Sequence, residues 1–214
     1  MAIKKGDYIE VKYVGRLPTR NLVFDVNDEE LAKKNNVYDS ERKYKHAIVK
    51  VGESDILQGL DESLEGKEIG KTYTVEIPDE KAFGKKDVKL IKLIPASKFR
   101  EQKIQPHPGM QVNVDNNIGI IKTVSSGRIL VDFNHPLSSH DLSYEVTIVK
   151  TVSELKKQVE GYLELSLQLP EVDIEIVEGI LKIKLGLPPQ LKQPLLEQIQ
   201  KRFPEIKDIE IVNK

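Results

Sequence analysis

The chain has 214 residues, 39% of them hydrophobic and 31% charged, with a formal net charge of -1. That balance excludes a disordered chain and any general electrostatic pull toward nucleic acid or an anionic membrane. The sequence holds no cysteine, which removes a disulfide framework, a thiol nucleophile and a thiolate metal site. The N-terminus, "MAIKKGDYIEVKY", runs straight into an alternating pattern without the apolar stretch of a signal peptide. No apolar run reaches the roughly 18 residues of a transmembrane helix. The expectation is a cytoplasmic protein with no membrane partner.

In chain order, Ile9, Val11 and Tyr13 alternate with Glu10 and Lys12, the period of a half-buried strand. Residues 21–25 ("NLVFD") predict a second short strand, and the polar residues 27–43 a long surface excursion. Ala47, Val49 and Val51 share a face of the next strand. The period then changes: Ile56, Leu57, Leu60 and Leu64 predict a short amphipathic helix with Ser54 or Asp55 as its cap and Gly66 as its stop. Tyr73, Val75 and Ile77 return to alternation. Many strands and one short helix imply an antiparallel sheet wrapped on that helix.

The character changes at "AFGKKD". "GMQVNVDNNIGIIKTVSSGRILVDF" predicts a three-stranded meander turning at Asp115-Asn116-Asn117 and Ser125-Ser126-Gly127. Beyond it Leu142, Tyr144, Val146 and Ile148 alternate with polar residues, as a long strand of the first sheet would. The meander is therefore an insertion. In the last third, Ser153 is expected to cap a helix striped by Leu155, Val159, Tyr162, Leu163 and Ser166. A hairpin turning at Glu178-Gly179 follows, then a helix carrying Leu191, Leu195, Ile199 and Phe203, then the strand "IKDIEIV". The order α-β-β-α-β makes an α+β module of about 60 residues, small enough to want help from a partner surface.

Few residues invite bond-making chemistry. His135 and His140 with Asp141 could ligate a metal, but no further ligand has a fixed spacing, so no metal is assigned. "GLDESLEGKEIGK" has its glycines at the wrong spacing for a phosphate loop. No cofactor is expected.

The positive signal is a set of pieces in order: "VKYVGRL", "LVFD", "VGESDILQGLDESLEG", "IPDEKAFG" and "VDFNHPLSSHDLSYEV". Together they closely resemble an FKBP-type peptidyl-prolyl cis-trans isomerase of the SlyD-like branch, whose flap carries an inserted domain. The resemblance covers residues 3–150, and the tail resembles the extra C-terminal domain of long archaeal members. It implies an α+β protein: a twisted antiparallel sheet on a short helix, a small β-rich insert and a C-terminal αββαβ domain. Residues 1–84 with 134–150 would be the isomerase domain, 85–133 the insert and 151–214 the last domain.

The resemblance further implies a prolyl pocket of Tyr13, Phe24, Asp25, Ile56, Leu57, Leu60, Phe83 and Tyr144. Phe24, Ile56, Leu60 and Tyr144 would wall the proline ring. The Leu57 N–H would bond a substrate carbonyl, and Asp25 would orient Tyr13 or act as a fixed charge. Phe83 stands where many members carry tyrosine, Leu60 where small members carry tryptophan, and Ala47 where a bulkier wall residue is common. The insert would be a chaperone that holds unfolded or proline-containing polypeptides through Leu90, Ile91, Leu93, Ile94, Met110, Val112 and Val114. Those seven could equally fill the insert's own core. A non-catalytic holdase or interaction module on the same scaffold is the alternative reading. The C-terminal module is expected to dimerise, dock on a partner or extend the client surface.

Overall fold

The computed structural model describes residues 2–169 and 171–212. The chain forms two compact units, residues 1–77 with 143–214 and residues 78–142. The elements run β1 (Tyr8–Leu17), β2 (Leu22–Val26), α1 (Glu29–Lys34), β3 (Ala47–Lys50), α2 (Gln58–Leu64), β4 (Thr72–Ile77), β5 (Ile91–Pro95), α3 (Ala96–Glu101), β6 (Gln111–Val114), β7 (Asn117–Ser125), β8 (Arg128–Asp132), β9 (Leu142–Thr151), α4 (Leu155–Leu165), β10 (Asp173–Val177), β11 (Ile180–Lys184), α5 (Pro189–Arg202) and β12 (Asp208–Val212). Among the described residues no helix is long and apolar enough to cross a membrane.

The first sheet has the order β2-β1-β9-β4, with β3 also paired to β1. One edge of β1 is shared: Tyr8 to Val11 pair with β3, and Val14 to Leu17 with β2. The side chain of Asn27 fills the gap between them. Its Oδ1 accepts from the Tyr13 N–H at 2.7 Å and its Nδ2 donates to the Val11 carbonyl at 3.0 Å. A buried amide thus replaces missing ladder bonds, which a buried backbone cannot forgo cheaply. On β9 the expected alternation holds, with Leu142, Tyr144, Val146 and Ile148 all buried. Helix α2 lies against β4 and buries Leu60 and Leu64.

Two local expectations for this sheet fail. Residues 27–43 are not all loop, because Asp28 caps α1 by accepting from the Leu31 N–H at 2.8 Å. That helix seats Ala32 on Val14 and Val26. Neither Ser54 nor Asp55 caps α2; Leu57 holds the cap position and makes no side-chain cap bond. Asp61 instead accepts from the Gly52 and Ser54 N–H groups, which ties the turn before the helix to the helix itself.

In the second unit, β5 joins the predicted meander, giving a four-stranded sheet in the order β5-β8-β7-β6. Its core is Phe99, Val112, Ile121, Ile129 and Val131. The chain segments leading to and from it are laced together. The Ser139 N–H donates to the Gly84 carbonyl at 2.8 Å, and Asn134 exchanges bonds with the Asp87 backbone at 2.8 and 3.0 Å. Asp132 anchors the return, with Lys86 at 2.9 Å and both Asn134 nitrogens within 3.0 Å. Burial disfavours its charge, but these partners prevail and lower its pKa to about 2.

The third sheet, β10-β11-β12, pairs β10 and β11 antiparallel and β11 and β12 parallel. Its core holds Val159, Leu163, Ile174, Leu181, Ile183, Ile199 and Phe203, and Tyr8 of β1 packs against it. The cap expected at Ser153 is absent, since Glu154 holds that position without a side-chain cap bond. Leu191, expected in the apolar stripe of α5, is exposed.

Gly161 of α4 meets β3 so closely that an added Cβ would lie 2.7 Å from the Ile48 Cβ and 2.8 Å from the Ile48 carbonyl oxygen. Gly161→Ala should therefore cost about 1–2 kcal/mol, overpacking outweighing the better helix propensity of alanine. Gly186, with nothing within 4 Å of its virtual Cβ, should tolerate alanine without loss. Urea denaturation of the two variants checks this, and equal stabilities would contradict it.

Candidate functional site

In an antiparallel ladder, residues directly opposite share a face. Gly15 on β1 pairs with Tyr144 on β9 and, on its other side, with Asp25 on β2. All three point the same way, and Gly15 has no side chain to hold Tyr144 and Asp25 apart. The Tyr144 hydroxyl reaches across and donates to Asp25 Oδ2 at 3.3 Å. A Cβ on Gly15 would sit 2.8 Å from the Tyr144 ring and 3.0 Å from that of Phe24.

Phe24 and Asp25 are consecutive, so a regular strand would send them to opposite faces. The β1–β2 register shifts here: Gly15 pairs with Asp25, Arg16 with Val23, and Phe24 is left over. Such a bulge lets two neighbouring side chains serve one face. The Phe24 ring accordingly meets Tyr144 edge-on, with centroids 5.8 Å apart, and Tyr13 meets it similarly at 5.6 Å.

Burial pushes the Asp25 carboxyl above its ordinary range, partly offset by Arg42, 3.8 Å away, and by the Tyr144 hydroxyl. Burial, then the Asp25 charge, raise the Tyr144 pKa further still, so that hydroxyl stays a protonated donor. Tyr13 is likewise raised, by burial first. The tyrosine hydrogen-bonded to Asp25 is thus Tyr144, whereas the expectation was that Asp25 orients Tyr13 or acts as a fixed charge. A cavity of about 160 Å³ opens beside Tyr13, Asp25, Arg42 and Ala47, and Gly161 and Glu164 of α4 are among the other residues that line it.

The remaining expected residues come from other segments. Leu60 is buried on α2, while Ile56 and Leu57 are half-buried in the turn before it. The Leu57 carbonyl accepts from the Leu60 and Asp61 N–H groups. Phe83 belongs to the second unit, where its ring stacks on His135 with centroids 4.0 Å apart. Of the seven insert residues, Val112 fills the core, and Ile94, Met110 and Val114 pack against it. Ile91 is half-buried, and Leu90 and Leu93 are exposed. Val88, Ile118 and Val124, which sequence reasoning did not select, are exposed too.

Sequence reasoning also missed Gly15, Asn27 and Arg42. Their roles depend on what lies across the sheet, which no local pattern reports. His46 was likewise passed over. Its Nδ1 meets Glu10 Oε1 and its Nε2 meets Asp28 Oδ2, each at 2.8 Å. It thereby ties the segment leading into β3 to β1 and to the α1 cap.

The profile of FKBP-type peptidyl-prolyl cis-trans isomerases matches residues 1–107, and a second profile, described as FKBP26, IF domain, matches residues 92–137. A short-type peptidyl-prolyl cis-trans isomerase of Methanocaldococcus jannaschii is 35% identical over 146 residues, 68% of this chain and 92% of that protein. A probable FKBP-type 16 kDa isomerase of Pseudomonas fluorescens is 30% identical, covering 48% of this chain and 71% of its own length. The isomerase SlyD of Pasteurella multocida is 29% identical, covering 47% and 52%.

Burial opposes the charged form of His46, but the hydrogen bonds its ring nitrogens donate to Asp28 and Glu10 outweigh it and raise its pKa above 6.5. A raised folded-state pKa stabilises fully below the unfolded value and is lost as pH rises through the folded one. His46→Gln should therefore cost most stability below about pH 6 and progressively less as the pH rises through the raised folded-state value. Denaturant titrations across that range check it, and a cost that grows with pH would contradict it.

Proposed function

The chain belongs to the FKBP-type peptidyl-prolyl cis-trans isomerase family, and on that premise we propose that it turns Xaa-Pro bonds at the face where Tyr13, Phe24, Asp25 and Tyr144 meet. Ile56, Leu60 and the Leu57 N–H complete the site in this reading. The observation that carries it is Tyr144 reaching across Gly15 to Asp25, with Phe24 edge-on to its ring. That arrangement leaves apolar ring surface beside one fixed carboxylate.

The reaction needs such a surface and no bond-making group. A peptide bond resists rotation by about 18–20 kcal/mol because of its C–N double-bond character. At Xaa-Pro the two isomers lie within about 1 kcal/mol of each other, so only the barrier needs lowering. Twisting the bond removes the resonance and makes the amide less dipolar. A pocket walled by aromatic rings favours that state over the planar, well-hydrated one. A barrier lowered by about 5–6 kcal/mol gives roughly four decades in rate. The Leu57 N–H would hold a flanking carbonyl still while the prolyl amide turns. Asp25 would keep Tyr144 oriented, with Arg42 steadying its charge.

We further propose that the insert holds unfolded, proline-containing clients and that the protein works in the cytoplasm. Supporting the first, Val88, Ile118 and Leu93 are 78%, 62% and 58% exposed, and Leu93 lies on β5, an edge strand. An edge offers unpaired backbone groups for an extended client, and the exposed side chains offer apolar contact. Buried Val112 belongs to the scaffold that presents them.

Phe24→Ala and Asp25→Ala should each cut kcat/KM on a short Xaa-Pro peptide by about 10- to 100-fold while circular dichroism shows the fold retained. Unchanged rates would remove the pocket assignment. Replacing Leu93 and Ile118 together by serine should weaken suppression of aggregation of a reduced, unfolded client and leave peptide isomerisation within about two-fold, since both side chains are already solvated. Undiminished suppression would argue against the insert as client surface.

A further inference from the structure

The turn from Gly52 to Leu57 carries two residues of the proposed site, Ile56 and Leu57, yet has no regular structure of its own. It is held by two carboxylates. Asp61 grips its beginning from within α2. Asp55 lies inside the turn, next to Ile56, and its Oδ2 accepts from the Lys50 N–H at 2.8 Å. Its other partners come from the C-terminal module: Arg202 Nη2 donates to Oδ2 at 2.5 Å, and the Ser166 hydroxyl donates to Oδ1 at 2.9 Å.

Arg202 is itself fixed on every side. Its Nε donates to the Tyr8 hydroxyl at 3.2 Å, and its guanidinium lies 5.1 Å from the Tyr162 ring and 5.7 Å from that of Tyr8. Glu53, at the other end of the turn, is 3.4 Å away. The side chains of Arg202 and Asp55 are only 9% and 5% exposed. A buried pair of this kind is costly to break, because removing one partner strands the other charge without water.

We infer that the C-terminal module sets the substrate affinity of the prolyl site through Arg202, a positioning residue that holds the turn bearing Ile56 and Leu57 by its grip on Asp55. The inference rests on the pocket reading above. Without the guanidinium, Asp55 must turn outward to be hydrated, and its neighbours Ile56 and Leu57 move with it. The binding-competent turn is then populated only part of the time, and apparent affinity falls by that fraction while the chemistry of the occupied site is preserved.

The test uses the full chain and saturation kinetics on a short Xaa-Pro peptide. Arg202→Ala should raise KM by about 3- to 10-fold and leave kcat within about two-fold. Arg202→Lys, which keeps the charge but loses the planar fork, should fall between Arg202→Ala and the unsubstituted protein. Ser166→Ala, at an exposed position, should raise KM modestly with an unchanged melting temperature, and it carries the test should Arg202→Ala fail to fold. Glu171→Gln removes the ion pair to Lys43, another link to the C-terminal module, without touching the turn, and should leave KM unchanged. Hydrogen exchange at residues 53–57 should quicken in Arg202→Ala and not in Glu171→Gln. An unaltered KM in the Arg202 and Ser166 variants, in a protein that Phe24→Ala slows by at least about 10-fold, overturns this inference and spares the pocket. A KM rise in Glu171→Gln equal to that in Arg202→Ala also overturns it. An unchanged rate in Phe24→Ala overturns the pocket reading instead.

Discussion

At Gly15 the first unit meets a steric limit that its aromatic cluster depends on. Register places Tyr144 on one side of this residue and Asp25 on the other. A side chain between them would stand within 2.8 Å of the Tyr144 ring, closer than any real contact allows. Its absence lets a phenol cross one strand and reach a carboxylate on the next. The leftover Phe24 in the β1–β2 register then adds a second ring to the same face. The cluster is thus a consequence of strand pairing, and its rigidity comes from the ladder beneath it. Asn27 reinforces that ladder at Tyr13, where neither β2 nor β3 supplies a partner.

A second close approach joins the C-terminal module to the same sheet. Gly161 allows α4 to touch the Ile48 backbone, and Tyr8 leaves the sheet to stack on Phe203, with centroids 6.0 Å apart. The module of about 60 residues is small for an independent core, and it completes that core with a side chain from β1. Arg202 sits where these contacts meet. One side chain therefore touches both the ring of Tyr8, which completes the module's core, and the turn at Asp55.

What was legible in the sequence follows from how far each signal reaches along the chain. The strand through Tyr144 could be read because one face is fully buried and the other half-buried and polar from Ser143 to Thr147, so apolar and polar residues alternate there. That strand also resumes a pattern broken at Ala82-Phe83-Gly84, the signal on which the insertion was expected. The α1 helix was missed because only Ala32 of its six residues is buried, leaving no apolar stripe. Ser54, Asp55 and Ser153 look like caps by residue type, but Asp55 is used across 147 residues by Arg202. The eight pocket residues came from family resemblance. Gly15, Arg42 and Arg202 had no local signal, since a glycine or an arginine is informative only once its neighbours in space are known. The seven insert residues were chosen for hydrophobicity alone, which cannot separate buried Val112 from exposed Leu93.

The central claim is that an Xaa-Pro bond turns against the Phe24 and Tyr144 rings with a flanking carbonyl on the Leu57 N–H. The most direct measurement titrates a short Xaa-Pro peptide into the isotope-labelled full chain, recording exchange between the peptide's cis and trans signals together with the protein's amide and aromatic resonances. The account predicts accelerated exchange accompanied by shifts of the Leu57 amide and the Phe24 and Tyr144 rings. Accelerated exchange with those three signals unmoved would contradict it.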